Sequence, residues 1–199
     1  MIGVPVYYTQ FNMNMDVIFL FYGLAFLVMG LVIVVLRNAE SQLELSGILW
    51  LLAVFAFTHG ILEWTDLWRI VRGDNTGLAA VRPALLLISY LFLFEFGRRL
   101  MLISLPADSN TIPARRLLGA WIYLPLLGVI TGCMAVSDQP ALAMTIGSRY
   151  LAGFFGSSLA GVGILLYWHN RLESPPPQFS HASHSQLDRW RSLHLLRHP

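Results

Sequence analysis

Five apolar stretches, separated by short polar loops, constrain this chain more than any other feature. They run from about Val17 to Leu36, Leu45 to Trp68, Pro83 to Ser104, Leu117 to Val136 and Tyr150 to Trp168. About twenty apolar residues wound as a helix cross a hydrocarbon core of about 30 Å. The expected fold is therefore all-α: a polytopic transmembrane bundle of about five spanning helices. Only 12% of the 199 residues are charged, half of the roughly 25% found in soluble domains. The first apolar stretch follows Asp16 and no basic residue, and no small-residue cleavage site succeeds it. It reads as a retained membrane helix rather than a signal peptide.

Within this frame the loops and breaks can be placed. Met1 to Met15 is uncharged except for the N-terminus, and its Tyr7, Tyr8 and Phe11 suit an interface. Gly23 and Gly30, seven apart, share a face on which a neighbour can pack closely. Gly73-Asp74-Asn75 ends the second stretch, with Trp64 and Trp68 at an interface. Pro83 falls at the start of the third, where helices tolerate proline. Pro125 predicts a kink in the fourth. The loop SDQPALAM then leads into the fifth, where Gly153, Ser157 and Gly161 recur every four residues as a face for tight helix contact. Residues 1–168 form the helical domain. Residues 169–199, with the run SPPPQ and four scattered histidines after His169, read as a short flexible cytoplasmic tail.

Arginine placement orients the bundle, since the chain has no lysine. With five spans, Arg37, Arg98, Arg99, Arg115, Arg116, Arg171, Arg189, Arg191 and Arg197 lie on one side. Arg69, Arg72, Arg82 and Arg149 lie on the other. The richer side is cytoplasmic by the positive-inside rule, which puts the N-terminus outside and the C-terminus in the cytoplasm.

The second stretch, LSGILWLLAVFAFTHGILEWTDLW, carries His59, Glu63 and Asp66. Spacings of four and three put them on one helix face, and polar groups in an apolar span default to a functional site facing protein or water. At a rise of about 1.5 Å per residue, with Trp68 at the outer interface, Glu63 lies about 7 Å and His59 about 13 Å below it. His59, Glu63 and Asp66, with the adjacent Trp64, are the candidate ligand-binding residues. The ligand would be a small molecule, a proton or an ion. A metal, if any, would be held by His59 and Glu63; otherwise no cofactor is expected. The competing reading is a set of buried polar groups that lock helix packing. Arg149, on the same outer side, could approach Asp66 or Glu63. Glu95 lies some 12 Å or more in depth from Glu63, and Arg98 and Arg99 follow at three and four residues, so these three read as a structural ion pair.

Several classes are excluded or disfavoured. No phosphate loop, nucleophile elbow, zinc helix or dinucleotide fingerprint is present, so no enzyme activity is expected. No basic block with interleaved aromatics points to nucleic acid. The single cysteine, Cys133, excludes an intrachain disulfide and, lying in an apolar run, reads as a buried inert thiol.

FYGLAFLVMGLVIVVL, FTHGILEWTDLW, YLFLFEFGRR and RYLAGFFGSSLAGVGILLYW together resemble the N-terminal multi-helix membrane region of bacterial sensor proteins. The most specific part is HGxxEWxD, at His59, Gly60, Glu63, Trp64 and Asp66. In those proteins this region precedes PAS, histidine kinase or diguanylate cyclase domains. The resemblance implies a free-standing or truncated sensory input region of two-component-type signalling, multi-pass in the bacterial inner membrane. Its implied partners are membrane lipid and either a second copy or another membrane or signalling protein. A fainter likeness is to the ethylene-binding membrane domain, which has a Thr-His pair late in its second helix. There a cysteine stands one turn before the histidine and helps bind copper; here that place holds Phe55, and Cys133 lies on another stretch. The rival expectation is a structural or assembly subunit of a membrane complex with no ligand of its own.

Overall fold

A computed structural model describes residues 6–39, 45–73, 76–106 and 109–173. They are all-helical in character, and no strand occurs among them. The helices are α1 (Val6–Ala39), α2 (Ser46–Arg72), α3 (Thr76–Ser104), the short α4 (Ile112–Leu117), α5 (Tyr123–Val136), α6 (Pro140–Gly147) and α7 (Phe155–Glu173). Single 3₁₀ turns precede α4 and α5, and a seven-residue π-helical stretch, Ser148–Phe154, joins α6 to α7. Contacts divide the chain into Met1–Tyr167 and Trp168–Pro199; of the second unit only residues 168–173 are described, all helical. The expected flexible tail therefore lies, from residue 174, outside the described residues, as do the side chains of Tyr7, Tyr8 and Phe11.

Among the described residues, four helices are long and apolar enough to cross a membrane: Met15–Arg37, Ser46–Arg72, Gly77–Ser104 and the continuous rod Pro140–Asn170. The expected fourth stretch differs. Its apolar run is broken at Leu118-Gly119, which leaves α5 as 14 residues behind one 3₁₀ turn, short of the roughly twenty a full crossing takes. Pro125 sits in the first turn of α5, where the missing N–H interrupts no helical bond, so it starts the helix instead of kinking one. Pro83 departs the other way. It is eight residues into α3, which begins at Thr76, because Gly77 to Val81 is apolar enough to extend the helix backward. SDQPALAM is also not a loop throughout: Pro140 opens α6, and Ala, Leu and Met are strong helix formers.

Close approaches by glycine set the helix packing. α1 and α2 meet where a Cβ on Gly60 would stand 3.0 Å from the Gly23 carbonyl oxygen, and where Phe57 packs over Gly30. α3 and α7 meet more tightly: a Cβ on Gly97 would fall 2.5 Å from the Gly156 carbonyl oxygen and 2.8 Å from the Ala160 nitrogen. Ser104 Oγ donates to the Gly163 carbonyl at 3.0 Å on the same seam. The contact face of α7 is thus Gly156, Ala160 and Gly163, not the expected Gly153, Ser157 and Gly161. Of these three, Gly161 faces open space, Ser157 is exposed, and Gly153 touches the Tyr90 ring. The stripe one position along wins because only it lies opposite Gly97. Ile48, Leu51, Phe96, Leu100 and Ala160 form the core beside this seam. Cys133, expected to be buried, is exposed on α5, because that helix packs on α6 and the π stretch with one face and leaves the other free.

Glu95 anchors the far end of α3. Arg98 forks onto it with Nε to Oε2 at 2.7 Å and a terminal nitrogen to Oε1 at 2.8 Å, while Arg99 Nε reaches Oε1 at 2.5 Å. Tyr123, at the start of α5, donates its hydroxyl to Oε2 at 2.5 Å, and Arg98 also donates to the Leu118 carbonyl at 2.8 Å. One carboxylate therefore ties α3 to the segment that leads into α5.

Candidate functional site

The string HGxxEWxD splits across two faces of α2. Gly60 and Trp64, four apart, turn toward α1: Gly60 against Gly23, Trp64 lying over Gly23 and donating to the Leu20 carbonyl at 3.5 Å. His59, Glu63 and Asp66 turn inward and are 6%, 9% and 8% exposed. Half of the string is thus a helix-packing device, and half is a buried polar row. Trp64 is 40% exposed and does not line the cleft described below; the structure does not bring it to the other three.

At the deep end, His59 lies among aromatic rings. Phe26 of α1 meets it edge-on at 4.6 Å between centroids, and Phe55 and Tyr90 lie at 5.3 Å. Its Nδ1 is 3.2 Å from Ser89 Oγ of α3, and Ser89 also donates to the Leu86 carbonyl at 2.8 Å. On the other side of the ring, Nε2 is 3.5 Å from Glu63 Oε1.

At the shallow end, Asp66 is ion-paired with Arg82 of α3 and lies 3.9 Å from Arg69 one turn along its own helix. The register explains both cross-helix pairs. Asp66 and His59 are seven apart on α2, Arg82 and Ser89 are seven apart on α3, and the helices run antiparallel. Two positions seven apart return to nearly the same face, so one pairing dictates the other.

Beyond Asp66 the helices separate into a cleft of about 260 Å³, lined by Asp66, Arg82, Thr145 and Arg149 with Leu62 and Leu86. α6 and the π stretch supply Thr145 and Arg149. Ala79 and Pro83 also line it, and Pro83 has no N–H to give the Ala79 carbonyl, so one rung of the α3 ladder is missing at this wall. Arg149 is exposed, and among the described residues its side chain makes no hydrogen bond or ion pair.

Glu95, Arg98 and Arg99 belong to the separate cluster with Tyr123. Among the described residues no three His, Cys, Asp or Glu side chains converge closely enough to hold a metal ion; Asp66 faces arginines, and His59 faces a serine and one carboxylate. Sequence reasoning missed Ser89, Tyr90, Phe26 and Tyr123 as partners. For Ser89 and Arg82 the signal was the matching spacing of seven on adjacent stretches. For the aromatic rings, which lie in uniformly apolar runs, there was none. Scans against protein families, curated proteins and solved structures found no match to this chain.

Proposed function

We propose that this chain is a sensory input domain of a bacterial inner membrane, which takes a small stimulus at the cleft lined by Asp66, Arg82 and Arg149. The observation that carries the reading is a buried charged row that ends in an open cavity with an unpaired guanidinium. A polar lock needs partners but no cavity. On this reading the arginine bias places the cleft toward the outside and the end of α7 in the cytoplasm, with α5 completing a fifth, shortened crossing. Occupancy would change the packing of α6 and the π stretch against α3, and α7 would carry that change across the membrane. The output would come from a partner signalling protein or a second copy.

The test is thermal unfolding of the purified protein with candidate small molecules and ions, wild type beside Asp66→Asn and Arg82→Gln, both in the cleft wall. The reading expects a stabilising ligand whose effect is lost in both variants while their helical content is kept. Two variants that simply fail to fold, with nothing stabilising the wild type, would sink it. The second reading, an assembly subunit, is favoured by the internal partners of the row, Arg82 for Asp66 and Ser89 for His59. Stable co-purification with a larger membrane complex would select it.

A further inference from the structure

The cleft has a neighbour. A larger groove of about 610 Å³ lies between α3 and the π stretch, lined by Tyr90, Leu93, Ile146, Tyr150, Phe154 and Ser157. It shares Leu142, Thr145 and Arg149 with the cleft, so Arg149 stands at the junction of the two cavities. Charges around the junction do not balance. Asp66 is engaged by Arg82 and Arg69, and Glu63 faces His59. Arg149 makes no direct ion pair; Glu63 and Asp66 lie within its Coulombic reach, but three guanidiniums, Arg69, Arg82 and Arg149, face these two carboxylates. A guanidinium favours an oxyanion, which it can grip with two parallel N–H bonds. The groove beyond it is walled by aromatic and aliphatic side chains, and Tyr150 and Phe154 are largely exposed along it. That surface suits a hydrocarbon chain.

Resting on the reading of the cleft as a ligand site, we propose that the two cavities take one ligand, an anionic amphiphile. Its carboxylate or phosphate head lies against Arg149 in the cleft, and its hydrocarbon chain lies along the groove beside Tyr90. Tyr90 would couple the two regions, because its ring packs against His59 on one side and lines the groove on the other. A metal cation is the wrong charge for this junction. The same head chemistry occurs in a free fatty acid and in an anionic phospholipid of the bilayer.

The experiment uses the full chain in uncharged maltoside micelles and follows the unfolding midpoint, which a ligand selective for the folded state raises. The probes are myristate, dimyristoylphosphatidylglycerol, myristyl alcohol and acetate. Myristate or the phospholipid should raise the midpoint, with apparent affinity reduced at least tenfold by Arg149→Gln, which removes the head contact, and by Ser157→Trp, which fills the groove. Both positions are exposed, so both variants should fold, and each response is read against that variant's own ligand-free midpoint. A response to myristate alone supports the proposal with a free acid as source, and a response to phosphatidylglycerol alone supports it with the bilayer as source. Myristyl alcohol acting as well as myristate would overturn the role of Arg149, and acetate acting as well would overturn the role of the groove. No response to either amphiphile, or responses untouched by both variants, would overturn the whole. Myristate binding that depends on Arg149 but survives unchanged in Asp66→Asn and Arg82→Gln would uphold this site and sink the sensory reading.

Discussion

The α3–α7 seam makes the sharpest prediction. In Gly97→Ala the new methyl carbon would lie 2.5 Å from the Gly156 carbonyl oxygen and 2.8 Å from the Ala160 nitrogen, where ordinary contact begins near 3.4 Å. Both obstacles are backbone, so no rotamer change relieves them, and the helices must part by nearly 1 Å. A radial gap of about 0.5–1 Å forfeits a quarter to a half of each dispersion contact, and a buried leucine makes about 40–60 contacts worth ~0.1–0.2 kcal/mol each. Leu100 is fully buried and its side chain packs on Gly163, while the Phe94 backbone lies against Gly156. Losing a quarter to a half of the Leu100 contacts comes to about 2–3 kcal/mol, at the upper end of the usual overpacking cost of about 1–3 kcal/mol. Gly161→Ala is the control. Nothing lies within 4 Å of its Cβ position, so it should be neutral or stabilising by up to about 1 kcal/mol through helix propensity. Reversible unfolding in mixed micelles, followed by helical circular dichroism, measures both. Equal and small effects of the two substitutions would refute the seam as described.

Two further perturbations test the charged clusters. Asp66→Asn and Arg82→Gln should each destabilise by about 2 kcal/mol, between the limits for exposed and buried pairs. The double variant should lose clearly less than the sum, and strict additivity in the same unfolding assay would show that the pair is not coupled. Tyr123→Phe removes one neutral donor from a carboxylate and should cost about 1.5–3 kcal/mol. Glu95→Gln, which strips the charge from Arg98, Arg99 and Tyr123 together, should cost more; the reverse order would mean that Glu95 is not the hub.

Helix identity was readable from apolar run length alone, but helix ends were not. Proline and aspartate marked Pro83 and the residues around Pro140 as boundaries, yet Pro83 is absorbed well inside α3 and Pro140 opens a helix instead of ending a loop. Proline reports only that one N–H is missing, and a helix start and a helix interior can both accommodate that. The polar row was legible because charge in an apolar span is rare and four-residue spacing fixes a face. Its partners were half legible, since Arg82 and Ser89 repeat the spacing of Asp66 and His59 on the next helix. The small-residue face of α7 could not be chosen, because adjacent stripes of Gly, Ala and Ser have the same period and only a glycine on another helix distinguishes them. The Phe26, Phe55 and Tyr90 environment of His59 carries no periodic mark in runs that are apolar throughout.

The π stretch between α6 and α7 has a mechanical meaning for the long rod it interrupts. A π turn closes on the fifth residue instead of the fourth, so Ser148–Phe154 holds a residue in reserve relative to a plain α-helix. Upstream of it the rod is clocked by Ile130 of α5 against Gly147; downstream it is clocked by Gly97 against Gly156. Rewinding the stretch as α without removing a residue would turn α7 by about 100° about its own axis, swinging Gly156 out of its slot while leaving α6 where it is. The stretch therefore works as a phase joint: the two halves of one rod keep separate angular settings, and converting the turn between its two windings would change their relative rotation without a bend.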